Sequence, residues 1–124
     1  MISAAKAKLF AEKWVAAWNS HSLPIILSHY TEDFVMHSPR IREIAQDPSG
    51  VLSGKQNVAK YWTSALELQP DLKFTLINAF AGVGSAAILY QNQRGGHVCE
   101  VVFFDDDGSK VKSAHAIYAE TPKI

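Results

Sequence analysis

Apolar residues recur at helical spacing through the first half of the chain and at alternate positions through the second. Residues 3–19 predict a helix, with Ala7, Phe10, Trp14, Ala17 and Trp18 on one face and Lys6, Lys13 and Asn19 off it. Ser22 is a candidate N-cap, and Pro24 suits the first turn of a second, short helix. That helix is expected to carry Ile26, Leu27 and Tyr30 and to stop at Thr31-Glu32-Asp33. Phe34 to Ser38 then reads as a strand, with Phe34, Met36 and Ser38 on one face and Val35 and His37 on the other. Residues 39–53 form a long connection through Asp47-Pro48-Ser49-Gly50, of a length often used for lids and binding loops. Ser53 and Gln56 fit a capping box for a third helix, whose Val58, Tyr61, Trp62, Ala65, Leu66 and Gln69 share a face; Pro70 stops it.

From Leu72 the period becomes two. Strands are predicted over 72–81, 85–93, 97–104 and 110–119, separated by Gly82 and Gly84, by Arg94-Gly95-Gly96 and by Asp105-Asp106-Asp107-Gly108. Such short turns imply antiparallel hairpins. Helices followed by a meander of strands make an α+β pattern. The expected architecture is a curved antiparallel sheet wrapped around three N-terminal helices, enclosing an apolar pocket in one domain over 1–124.

Composition narrows the class. Twelve basic residues balance twelve acidic ones, which argues against a nucleic-acid partner and does little to keep monomers apart. Cys99 is the sole cysteine, so no intramolecular disulfide forms, and a cytoplasmic setting is expected. Lys6, Lys8, Glu12 and Lys13 interrupt the opening apolar run, which therefore does not read as a signal peptide; no membrane span is expected.

Among candidate chemical groups Glu100 stands out. It is the one acid in the apolar strand His97 to Phe104 and alternates with Val98, Val102 and Phe104. If that face lines the pocket, desolvation raises its pKa toward neutrality and equips it for proton transfer at a carbonyl. The plainer alternative is a glutamate that faces solvent or forms an ion pair across a dimer. Trp14, Trp18, Tyr30, Trp62 and Tyr118 are candidate aromatic lining for a flat apolar ligand, with Met36 and Ser38 added from the first strand; ordinary core packing is the alternative for each. Parity turns His37 and His115 to the outer face, while His21, His29 and His97 belong to element ends. No spacing suggests a metal site. Ser38 lies in no nucleophile elbow, and the aspartate run reads as a hairpin turn rather than a calcium loop.

The segments WVAAWN (14–19), YTEDFVMHSP (30–39), SGKQNVAKYWTSAL (53–66), PDLKF (70–74) and EVVFFDDDGSKV (100–111), together with the DPSG loop, give the chain a resemblance. In their order it resembles the SnoaL-like branch of the nuclear transport factor two superfamily, which includes polyketide cyclases and relatives of ketosteroid isomerase. The resemblance implies a cone fold and, in many relatives, pairing of sheets into a homodimer. Superfamily isomerases use a tyrosine on the first helix, an aspartate closing the first strand and an acid on a late strand. The matching positions here are Trp14, Ser38 and Glu100, and only the last keeps its chemistry, so ketosteroid isomerisation itself is not expected.

The resemblance thus implies acid/base isomerase-, cyclase- or lyase-like chemistry on a small apolar carbonyl compound, with Glu100 moving the proton and no cofactor. A non-catalytic ligand-binding or dimeric interaction module is the alternative. An epoxide hydrolase of the same superfamily would need paired carboxylates, and Glu100 has no evident partner. Whether Glu100 and Ser38 open into one cavity, or Trp14 and Trp62 plug it, separates the first two readings.

Overall fold

A computed structural model describes residues 2–120. Helix α1 (Ala4–Asn19) starts where the Ser3 side chain accepts a hydrogen bond from the Lys6 N–H, 3.1 Å away. It buries Ala7, Ala11, Trp14, Val15, Ala17 and Trp18. Helix α2 (Leu23–Leu27) is one short turn sequence with Pro24 at its start. Tyr30 is not part of it, contrary to the pattern reading, and instead opens strand β1 (Tyr30–His37). The polar run Thr31-Glu32-Asp33 masks the strand because it bulges away from the neighbouring strand. Pairing shifts register between Tyr30 and Val35, so these three side chains leave the alternation.

The 39–53 segment is not a bare loop. It holds helix α3 (Arg40–Ile44), pinned by the fully buried Ile41, and edge strand β2 (Val51–Ser53). Ser53 ends that strand rather than capping the next helix. Gly54, at φ +93°, stands at the N-terminus of α4 (Lys55–Leu68), and no side chain caps it. The α4 face of Val58, Tyr61, Trp62 and Ala65 is buried as the spacing predicts.

Strands β3 (Thr75–Ala81), β4 (Ser85–Gln91), β5 (His97–Phe104) and β6 (Val111–Tyr118) follow as a meander. The order β2-β1-β6-β5-β4-β3 makes one six-stranded curved sheet, the α+β cone expected from the sequence. One pair departs from the antiparallel rule: β1 runs parallel to β6. Parallel neighbours need a long crossover, here the intervening helices and hairpins. The inner sheet face packs Phe34, Met36, Ile88, Val98, Val102 and Ala114 against α1 and α4, while Phe80, Phe103 and Ile117 remain exposed.

Candidate functional site

Register places the polar residues of the inner face. Glu100 pairs laterally with Ile88 on one side and Ala116 on the other, so its strand neighbours are both apolar. His37 pairs with His115, and continuing that register sets Ser38 beside Ala116. One row across the sheet therefore reads Ser38, Ala116, Glu100, Ile88. The next row reads Tyr118, Val98, Tyr90. Alanine at 116 leaves space between the serine and the acid. Ser38 is held in place through its N–H, which donates to the Gly50 carbonyl at 2.9 Å, and Gly50 itself sits at φ +71°.

That space is a cavity of about 60 Å³, room for a handful of water molecules or one small organic group. Glu100 and Ser38 both line it, and Trp14 and Trp62 stand in its walls without plugging it. Trp18, Met36 and Tyr118 line it as well. Tyr30 does not. It is 1 % exposed, and its hydroxyl accepts a 2.9 Å hydrogen bond from the Trp14 ring N–H. The Trp18 ring nitrogen lies near the same oxygen without a hydrogen bond. Tyr30 thus orients the pocket tryptophans from behind. Trp14 stacks on Phe74 at 5.8 Å and Trp18 meets Trp62 edge-on at 5.1 Å, so the aromatic wall is rigidly packed.

Glu100 is 3 % exposed. Burial pushes its pKa from the usual carboxyl range up to about 8, and no cation or hydrogen bond offsets that effect. The acid therefore holds its proton through neutrality. Burial also raises the phenols of Tyr61, Tyr90 and Tyr118, with the Glu100 charge adding to each, so all three remain protonated donors.

Pattern reading missed several lining residues. Tyr61 and Gln69 were assigned only a place on the α4 face, and Arg40 and Asn92 had no role. Arg40 is buried, at 7 % exposure, with its guanidinium carbon 5.7 Å from the Tyr118 ring centre. The available signal was the Ile41/Ile44 spacing, which marks a helical turn and would have brought Arg40 back over the sheet. On the outer face His37 and His115 stack at 3.9 Å, away from the cavity as parity predicted. Cys99 is a half-buried free thiol. No group of metal-binding side chains occurs among the described residues, nor any helix long and apolar enough to cross a membrane.

Comparison with known proteins bears on what this cavity serves. Residues 11–117 match the SnoaL-like domain. A SnoaL-like protein of unknown function from Burkholderia thailandensis E264 shares 46% identity, covering 96% of this chain and 98% of that one, at a TM-score of 0.90. More distant structures share the fold alone. An NTF2-like protein of unknown function from Cytophaga hutchinsonii ATCC 33406 has 13% identity, 95% and 91% coverage and a TM-score of 0.67. TerC co-crystallised with polyporic acid has 11% identity, 90% and 91% coverage and a TM-score of 0.72. No curated protein matches the sequence.

Proposed function

The chain belongs to the SnoaL-like family, and from that premise we propose that it is a small-molecule pocket protein performing acid/base chemistry on a small carbonyl compound, with Glu100 as the group that moves the proton. The fold family includes isomerases and cyclases. The observation that carries the reading is one buried, unpaired carboxyl group facing the same cavity as Ser38. A carboxylate there removes a proton from the carbon beside a carbonyl. It then returns that proton to the same or a conjugated carbon as the enolate collapses. One proton leaves and comes back, so no cofactor is consumed. The protonated Tyr61 and Tyr118 line the same cavity and supply hydrogen-bond donors for the developing oxyanion. With a pKa of about 8 the base is a minority form at neutrality and grows as pH rises.

The test is incorporation of deuterium next to the carbonyl of 2-butanone or cyclohexanone in heavy water. Catalysed exchange should rise with pH through about 8 and fall by roughly a hundredfold or more in Glu100→Gln. Exchange that persists in Glu100→Gln refutes the role.

A second reading, ligand binding without chemistry, has its own support. The Trp14 N–H is already spent on Tyr30, and no activating partner accompanies Ser38, so two positions used by superfamily isomerases carry no acid–base group. Pocket tryptophan fluorescence that responds to ligand, with no exchange in the wild type, favours that reading. A cytoplasmic homodimer formed through the outer sheet face belongs to the same proposal, supported by the exposed apolar side chains of Phe103 and Ile117.

A further inference from the structure

We infer that Arg40, with Ser38, Tyr61 and Tyr118 around it, is a recognition subsite for the carboxylate of a short-chain oxo acid whose carbonyl lies toward Glu100. The inference rests on the cavity being a ligand site, as proposed above, and extends that reading to the ligand's charge.

Arg40 is more than nine-tenths buried and lines the cavity. A guanidinium stays charged at any accessible pH, and burying it costs several kcal/mol unless a counter-charge is present. Among the described residues no counter-charge to Arg40 occurs; the ion pair found there joins Lys55 to Glu32 at 3.6 Å, away from Arg40 and its contacts. Its contacts are the Tyr118 ring, 5.7 Å from the guanidinium carbon, and the Tyr118 hydroxyl, which Ser38 also approaches. A ring face offsets only part of the desolvation, and one hydroxyl occupies few of five N–H donors.

Glu100 is not the missing partner. No ion pair joins the two side chains among the described residues. Arg40 stabilises the ionised forms of Tyr61, Tyr90 and Tyr118, while Glu100 opposes all three, and Arg40 does not act on Glu100. With the acid protonated at neutrality, the pocket holds one uncompensated positive charge. A single planar carboxylate matches one guanidinium fork in charge and shape, whereas a phosphate dianion carries twice the charge of the one cation and lacks the apolar chain that the aromatic walls favour. Strands β1 and β5 lie on either side of β6, about 10 Å apart at backbone level. Ser38 directly follows β1 and its hydroxyl accepts the Arg40 backbone N–H at 3.2 Å, so α3 sets Arg40 at the Ser38 end of the row Ser38, Ala116, Glu100, and a short carbon chain joins a carboxylate at that end to a carbonyl at Glu100.

The experiment compares 4-oxopentanoate, its neutral methyl ester and inorganic phosphate by titration of the pocket tryptophan fluorescence. The wild type is expected to bind the carboxylate about tenfold or more tighter than the ester and to ignore phosphate. Arg40→Gln should erase that preference, and Glu100→Gln should keep it. Equal binding of acid and ester, a preference that survives in Arg40→Gln, or phosphate binding as tight as the carboxylate overturns the inference. If Arg40→Gln does not fold, the Arg40 Nε–H resonance of the wild-type protein gives the answer. It should shift with 4-oxopentanoate and not with the ester, and no shift at saturation overturns the assignment. A wild type that shows no charge preference but keeps Glu100-dependent deuterium exchange sinks this inference alone. Lost dependence of exchange on Glu100, with the charge preference intact, sinks only the catalytic reading.

Discussion

Replacing Glu100 with glutamine removes an ionisable group while keeping nearly the same volume, so its effect on stability isolates the buried charge. In the unfolded chain this carboxyl releases its proton near the ordinary glutamate value of 4.5, and in the folded protein it does so at about 8. Folding therefore takes up a proton between those values. The stability this group contributes is fully present below the unfolded pKa and is lost as pH rises through the folded one. Each unit inside the window costs up to about 1.4 kcal/mol. Between about pH 5 and about pH 9 the wild type should lose about 4 kcal/mol through this side chain, since part of the window lies below the starting pH. Glu100→Gln should not show that loss. Urea unfolding of both proteins at intervals across the range gives the difference directly, because the other titrating groups, including the depressed His29 and His115, are common to both. The variant should gain on the wild type steadily with pH and overtake it on the alkaline side. A difference that stays flat means the carboxyl is hydrated in solution, and the catalytic and oxo-acid readings then lose their electrostatic basis.

Tyr30→Phe leaves the Trp14 ring N–H buried with its acceptor gone; a loss of about 1–3 kcal/mol in urea unfolding is expected, and no loss would place a water at that site. Gly50→Ala forces a side chain into a left-handed backbone at +71°, with its Cβ 3.3 Å from the Ser38 carbonyl oxygen. It should cost at least about 1–2 kcal/mol and weaken ligand binding through Ser38, so an unchanged melting temperature would refute the close approach. Ile117→Lys places a charge on the exposed outer face; if that face pairs two copies, light scattering should show the dimer dissociating, and an unaltered mass excludes the face as the interface.

Elements with an uninterrupted period could be read from sequence. The α1 and α4 stripes and the β5 alternation each repeat over two or more turns or pairs, and alternation in β5 was enough to turn Glu100 inward. Misreadings fell where the chain departs from its own period. The bulge at Thr31–Asp33 hid the start of β1 and left Tyr30 in the wrong element. The capping box at Ser53 and Gln56 was locally plausible, yet pairing of Ser53 with Val35 outweighed one side-chain hydrogen bond. Helix α3 is a short turn sequence in which only Ile41 and Ile44 carry a pattern, below the length at which periodicity discriminates. Arg40 was missed for that reason. An arginine in an apparent loop reads as solvated, and only the packing of Ile41 under the helix carries it over the sheet.

The energetic sign of the two inward charges ties the chemistry to the fold. Glu100 sits between Ile88 and Ala116 and Arg40 lies against Tyr118, and among the described residues neither has an ion-pair partner. Each lowers stability relative to an apolar side chain of similar size, because desolvating a charge costs more than a ring or a hydroxyl returns. Were stability the only requirement, leucine or methionine would serve better at both positions. Were the two groups a structural ion pair, the guanidinium would pull the glutamate pKa down, yet it is raised. The remaining physical role is to face something not part of the chain. A ligand that brings a negative charge to Arg40 and a proton acceptor to Glu100 satisfies both groups at once, which turns two separate costs of folding into binding energy. Ligand should therefore stabilise the wild type more than either single variant.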